Sequence, residues 1–282
     1  AAIIVTVLAA LVIIGGIQRI AKVSSVVVPF MAIAYVIICL AVVIYNHERI
    51  PHAVVAIVQS AFGIKAAAGG AIGAMLIAMQ KGVARGIFSN ESGLGSAPIA
   101  AAAAQTKEPV RQGLVTMTGT FIDTVCICTL TGLTIMTSGA YEYSMANNLE
   151  GVEVTAAAFG NGLPWAYSVG TFVLMAALAF FAFTTILGWD YYAERSLEYL
   201  TDNMKAVMVY RWIYILAVLI GPFLTVSAVW TIADIFNAFM AIPNLIALLA
   251  LSGVIVAETR SYFNRLNAGE IREFAPKEKK RK

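Results

Sequence analysis

The stretch Ala84–Pro98, ARGIFSNESGLGSAP, puts one arginine, one glutamate, one asparagine, three serines and three glycines into an otherwise strongly apolar chain. Gly86, Gly93 and Gly95, with Ser89, Asn90 and Ser92, are poor material for a continuous helix. At membrane depth each unpaired backbone N–H or C=O is costly, so an interruption there is tolerable only where it lines a cavity or meets a ligand. Helix ends flanking such a break aim orphan carbonyls at a cation and orphan amides at an anion, the two groups of a zwitterion. The residue pattern predicts an outer half-helix Ala71–Ile87, an unwound stretch Phe88–Gly95 and an inner half-helix Ser96–Gln105. The competing reading is a short re-entrant helix followed by a surface loop. Arg85 and Glu91 read as structural or gating partners rather than ligand contacts, because intramembrane charges find partners. Gly69, Gly73, Gly82 and Gly86 form two GxxxG patterns that suit close helix packing.

Three further groups carry chemistry. Asp123, in GTFIDTVCICT, is an intramembrane carboxylate to which sodium coordination, proton transfer and a structural hydrogen bond are all open. Thr184 and Thr185, in FAFTTILGWDYYAERS, offer hydroxyl oxygens to a hard cation, although such hydroxyls also bond back to the preceding turn. Trp189, four residues beyond Thr185, projects from the same helix face and suits either an interfacial aromatic belt or a site wall. Cys39, Cys126 and Cys128 lie in apolar runs and read as buried hydrophobes. His47 and His52 flank a loop and suggest no metal site. Neither HExxH, GxSxG nor a Walker loop occurs, which weakens any enzymatic reading.

The elements that must position these groups are membrane helices. The 282 residues are 60% hydrophobic and 12% charged, about half the charge of an ordinary soluble domain. Seven spans are expected: Ala1–Gly16 (truncated), Ser24–Tyr45, Ala67–Ala104, Gly113–Gly139, Trp165–Trp189, Val207–Val226 and Phe239–Ala257. A crossing needs about 20 residues, so the third stretch, nearly twice that, cannot be one straight helix. The chain opens on an apolar run without Met, which reads as a cut through a membrane helix and as the C-terminal part of a longer protein.

Charge sets the expected orientation. With alternating loops, one side receives Arg19, Lys22, Lys107, Arg111, Arg195, Lys205 and Arg211, joined by the eight basic residues from Arg260 onward. The other side receives Arg49 and Lys65. Cytoplasmic loops are rich in Lys and Arg, so the basic side and the tail are expected inside. Keeping the tail inside requires two spans, not three, between Val207 and Ala257. Gly221-Pro222 then becomes a kink within the sixth span, and Ser227–Ala238 an external connection. Tyr141–Pro164, acidic and free of Lys and Arg, is expected to be a long outer loop. The domain reading is a transmembrane domain over 1–258 and a basic cytoplasmic tail over 259–282.

The blocks GGIQRIAKVSSVVVPFMAIAY, GVARGIFSNESGLGSAPIAAAAAQTKEPVRQGL and GTFIDTVCICTLTGLTI together resemble the sodium:alanine (alanine or glycine:cation) symporter family, over about Val12–Tyr262. The resemblance implies an all-α polytopic membrane protein with a LeuT-like inverted-repeat transporter fold, here the last two helices of repeat one and all of repeat two. It implies symport of small neutral amino acids, alanine or glycine, with Na+ across the inner (plasma) membrane. The partners are then the lipid bilayer and these solutes, not nucleic acid. By motif position it assigns Phe88, Ser89, Asn90 and Gly93 to the substrate pocket, with Thr185 and Trp189 facing it. Thr184 and Thr185 become candidate sodium ligands, and Trp189 a wall that restricts side-chain size. The family's other, glycine-rich broken helix is missing from this sequence, so a non-transporting fragment or scaffold that keeps only the fold is the alternative.

Overall fold

In lipid, only a helix or a closed barrel satisfies its own backbone, so the long apolar runs dictate helices. The computed structural model describes residues 2–63 and 70–271. Among the described residues six helices are long and apolar enough to cross a membrane: Arg19–Tyr45, Ala71–Asn90, Pro109–Thr137, Tyr167–Thr201, Met204–Phe223 and Val226–Ala250. In chain order, α1 (Ala2–Ile13) leads into α2 (Gly16–Tyr45), and α3 (Ile50–Ala61) follows a short turn. Then come α4 (Ala71–Asn90), the short α5 (Ala97–Ala101) and α6 (Pro109–Phe121). The last runs through π turns at Ile122–Cys128 into α7 (Thr129–Thr137). After these come α8 (Ala140–Asn147), α9 (Val152–Asn161), α10 (Tyr167–Thr201), α11 (Met204–Ile220), α12 (Val226–Ala250) and α13 (Ser252–Asn267).

The core sits where α2, α9 and α10 meet. Tyr35 and Cys39 of α2, Ala156 and Phe159 of α9 and Leu174 of α10 form one buried cluster. The Tyr35 ring stacks on Phe159 and meets Phe181 edge-on, both at 5.8 Å between centroids. Its hydroxyl is 2.8 Å from Thr131 Oγ1, so the polar tip of a buried ring is satisfied. A second cluster joins Ala9, Ile13 and Ile20 to Leu187. Where α9 hands over to α10, Trp165 Nε1 donates to Phe159 O at 2.8 Å. Gly170 lies so close to that turn that an added Cβ would fall 2.1 Å from Phe159 O.

Several expectations change. The run Tyr141–Pro164 is not a long loop but the helix pair α8 and α9, with Ala156–Gly160 buried. Small residues there let α9 approach its neighbours closely. The sixth span ends at Ile220, and Gly221-Pro222 forms a separate 3-10 turn rather than a kink. Leu224 is extended, and Thr225 caps the next helix through its hydroxyl. Ser227–Ala238 is therefore the first half of α12, not an external connection. The last crossing helix runs over Val226–Ala250 instead of Phe239–Ala257. That region still holds two crossing-length helices, because Pro222 ends one and Leu251 separates the other from α13. The expected GxxxG packing is not made by the described glycines: Gly73, Gly82 and Gly86 have open space where a Cβ would stand. Gly69, Lys65 and the residues after Ile271 lie outside the described residues.

Contacts between connections bring particular helix ends together. Asn46 Nδ2 donates to Gly162 O at 2.8 Å, and Arg49 Nη1 to Thr137 O at 3.5 Å, which joins the ends of α2, α7 and α9. Arg265 of α13 grips Glu108, at the start of α6, through two bonds of 2.9 and 2.7 Å.

Two measurements check this packing. Replacing Gly170 with Ala is expected to destabilise the detergent-solubilised protein by about 1–3 kcal/mol, the usual penalty of overpacking. Gly188→Ala, where open space surrounds the site, should instead be neutral or gain up to about 1 kcal/mol of helix propensity. Thermal melts of the two variants side by side decide the matter. The hydrogen bonds from Arg265 hold the Glu108 carboxyl below its usual range. A depressed carboxylate stabilises above its unfolded value, about 4.3, and loses that contribution as pH falls through the folded one. A spin label at Ser261 of α13 should therefore gain mobility on acidification, and the Glu108→Gln variant should be mobile already at neutral pH.

Candidate functional site

Helix α4 continues three residues further than its glycines and serines suggest. Phe88, Ser89 and Asn90, expected in the unwound stretch, are its last turn. Side-chain anchors explain why. Ser89 Oγ donates to Asp123 Oδ2 at 2.5 Å and Asn90 Nδ2 to Thr124 Oγ1 at 2.6 Å, while Phe88 meets Trp230 of α12 edge-on at 5.3 Å. The helix stops at Glu91, which takes the left-handed conformation at φ 54°. Gly93 (φ 87°) and Gly95 (φ 82°) follow, and α5 begins only at Ala97. A Cβ on Gly95 would lie 3.0 Å from Asn244 Oδ1, so this turn needs glycine for its dihedral angle and for its closeness to α12. The interruption thus spans Glu91–Ser96, and the inner half-helix is a five-residue piece, Ala97–Ala101, not one reaching Gln105.

Several polar groups converge on the break. Ser96, fully buried, donates to Glu91 Oε2 at 2.9 Å, and Glu91 also interacts with the Tyr192 hydroxyl of α10. Arg85 pairs not with Glu91 but with Asp234, through bonds of 2.6 and 2.7 Å to the two carboxylate oxygens. Its guanidinium also lies 4.4 Å from the Trp230 ring centroid, within cation–π range. Asn90 keeps a buried Oδ1 with no hydrogen-bond partner. The last four carbonyls of α4, from Ile87 to Asn90, lack intrahelical donors by construction and carry the negative end of the helix dipole.

A cavity of about 420 Å³ opens beside this turn. Ser89, Asp123 and Cys128 line one wall, Tyr35 and Trp230 two others, and Phe181 of α10 a fourth. Asp123 and Cys128 come from the π-wound segment, whose wider turns displace the side chains from α-helical register. A second hollow, about 740 Å³, lies between the break and α6, bounded by Ser92, Ala97, Gln112 and Thr116.

The structure brings some of the expected residues together and leaves others apart. Ser89 lines the 420 Å³ cavity; Phe88 and Asn90 stand beside it on the same turn; Gly93 lies in the break, next to Leu245. Thr184, Thr185 and Trp189 are not among the residues lining that cavity. Thr184 Oγ1 bonds back to Phe180 O and Phe181 O at 3.1 and 3.0 Å. Trp189 packs edge-on against Tyr192 at 5.7 Å, and through it adjoins Glu91. Sequence reasoning passed over Asp234, Trp230, Thr124 and Tyr35. Asp234 and Trp230 had been placed in a loop outside the membrane; an acid at depth in α12 would have been the signal.

The likenesses to known proteins agree with this geometry. The model of the sodium:alanine symporter family matches residues 1–276. The chain is 55% identical to an uncharacterised transporter of Haemophilus influenzae, over 94% of its own length and 57% of that protein. It is 44% identical to the sodium/alanine symporter AgcS of Methanococcus maripaludis, over 95% of its own length and 57% of that protein. It is 38% identical to a probable sodium/glutamine symporter of Bacillus subtilis, over 92% and 52% respectively. The chain therefore spans about half the length of the curated relatives it matches. With an interrupted helix beside a cavity reached by Ser89 and Asp123 and a family match over nearly its whole length, this chain belongs to the sodium:alanine symporter family, a family of transporters and not of enzymes.

Proposed function

We propose that the whole protein couples uptake of a small neutral amino acid, alanine or glycine, to sodium entry. The observation that carries this reading is the interruption at Glu91–Ser96 beside the 420 Å³ cavity. A transported zwitterion needs a partner for its ammonium. The carbonyl end of α4 supplies acceptors there. The short α5 contributes little dipole, so the carboxylate must find most of its donors elsewhere. Ser89, Phe88, Asn90 and Gly93 are the proposed substrate residues. Thr184 and Thr185 are the proposed sodium ligands: the Thr184 hydroxyl spends its proton on backbone carbonyls and keeps its oxygen lone pairs. Trp189 is the proposed size-limiting wall. The relatives' names divide between alanine and glutamine, and proteins carrying either name can differ at such a wall.

The same reading makes the membrane domain the last two helices of repeat one and all of repeat two of a LeuT-like inverted-repeat fold, in the cytoplasmic membrane, with residues 259–282 as a basic inner tail. The grip of Arg265 on Glu108 supports it, because charge counting put both on the inner side.

Proteoliposomes holding the whole protein, given an inward sodium gradient, should accumulate labelled alanine and lose that accumulation when the gradient is collapsed. Uptake that ignores sodium, or no uptake, would overturn the proposal and favour a non-transporting role. Asn90→Leu removes both the bond to Thr124 and the free acceptor. We expect alanine uptake to fall about tenfold or more, equivalent to about 1.4 kcal/mol, the order of one hydrogen bond. Unchanged uptake would take Asn90 out of the pocket.

A further inference from the structure

Two acids are buried among the described residues, Asp190 and Glu194, and only one of them is paired. Asp190, on α10 one residue beyond Trp189, has 0% of its surface exposed, and neither carboxylate oxygen has a hydrogen-bond partner. Each oxygen exposes less than 1 Å², so a water-sized sphere reaches neither. One turn on, Glu194 is also buried, but Arg211 of α11 closes on it with bonds of 2.6 and 2.9 Å. Glu194 and Arg211 neutralise each other, and both oxygens of Glu194 are engaged. Were Asp190 ionised, the cluster as a whole would keep one uncompensated negative charge.

The groups facing Asp190 offer nothing else to cancel it. From α11 come Tyr210 and Tyr214, and the Tyr214 hydroxyl is already donated to Ile186 O at 2.9 Å. On α10, Arg195 pairs with Glu198 at 2.6 Å. On α2, Arg19 and Lys22 are exposed, and Arg19 donates to Leu11 O. Helix α1 carries no charged residue. On the side of the break, Glu91 stops at Tyr192. Leu187, three residues before Asp190, is sealed in the apolar cluster with Ala9, Ile13 and Ile20. An ionised carboxylate in such a place, with no donor of its own and with the nearby Arg211 already held by both oxygens of Glu194, is an unfavourable arrangement.

We infer that Asp190 is a proton-binding site. In the closed packing of α10 against α1 and α11 it is the neutral carboxylic acid. The proton comes from water when the helices part and returns there when they part again, so binding and release accompany opening. A sodium ion in the same position would need several further oxygens around it, and the nearest carboxylate oxygens, those of Glu194, are already held by Arg211. This assignment goes beyond the sodium-coupled reading and does not depend on it.

Infrared difference spectroscopy on the whole protein in lipid tests the site. The expected result is a protonated-carboxyl C=O band at neutral pH that shifts in D2O and disappears reversibly as pH is raised. The same band should be lost in Asp190→Asn, an isosteric change with little reason to disturb the fold, and retained in Asp123→Asn. A wild-type spectrum without a titrating carboxyl band, or a band that survives Asp190→Asn, overturns the inference. This measurement needs no transport. A band lost in Asp190→Asn together with absent alanine uptake would leave the proton site standing and sink the symport reading. Sodium-driven uptake with no such band would do the reverse.

Discussion

The constraint behind this architecture is that a backbone inside a bilayer must satisfy its own polar groups. Helix α4 violates it at Glu91, and much of the neighbouring structure serves to make that violation tolerable. The chain turns through three left-handed residues, Glu91, Gly93 and Gly95, and packs that turn against Asn244 and Leu245 of α12. Ser96, fully buried, ties the far side of the turn back to Glu91. The final turn of α4 is pinned by Ser89 and Asn90 to the π-wound part of the neighbouring helix. That π segment carries a second, milder irregularity facing the first. Two departures from regular helix thus meet across one cavity and leave there polar groups that regular helices keep to themselves.

Charges obey the same rule at greater distance. Arg85 and Asp234 are far apart in sequence yet close two bonds, with Trp230 and Phe88 against the guanidinium. Their side chains are 41% and 48% exposed, so the pair is not sealed within the protein. Its value lies in geometry: it fixes α12 beside the end of α4 and so holds the Trp230 wall of the cavity. Glu194 and Arg211, far less exposed at 6% and 22%, do the same for α10 and α11. Leaving one partner of that pair alone would be the costly event, more than the pair itself is favourable.

Much of this was legible in the residues. Apolar runs of about 20 residues located five of the crossing helices, three of them to within about five residues at both ends, because hydropathy and bilayer thickness leave little choice, while the helical end of α10 at Thr201 lies well past the expected Trp189. The interruption was legible from Gly93 and Gly95, but not its first residue. Ser89 and Asn90 are weak helix formers alone, and what keeps them helical is Asp123 and Thr124, more than thirty residues away. The split near Gly221-Pro222 was misread for a similar reason. Pro inside a span is compatible with either a kink or an end, and only the extended Leu224 and the Thr225 cap decide between them. Helices α8 and α9 were hidden because their alanines and glycines carry little pattern. Their order comes from burial against α7 and α10, a tertiary effect with no local signature.

Helix α10 connects these pieces mechanically. At 35 residues it is about 50 Å long, well beyond the roughly 30 Å of hydrocarbon, so its two ends work in different surroundings. Its first half supplies Leu174 to the core and Phe181 to the cavity wall. Its second half carries Thr184, Trp189 and Tyr192, the last against Glu91 at the helix break, and then Asp190 and Glu194 against α11. A rigid helix cannot move one of these contacts and leave the others in place. Any shift of α10 that opens the cavity at Phe181 also strains the Tyr192–Glu91 contact and the Glu194–Arg211 pair, while exposing Asp190. The cavity wall, the interrupted backbone and the buried acid are therefore tied to one element, so coupling between them needs no chain of intermediates beyond α10 itself.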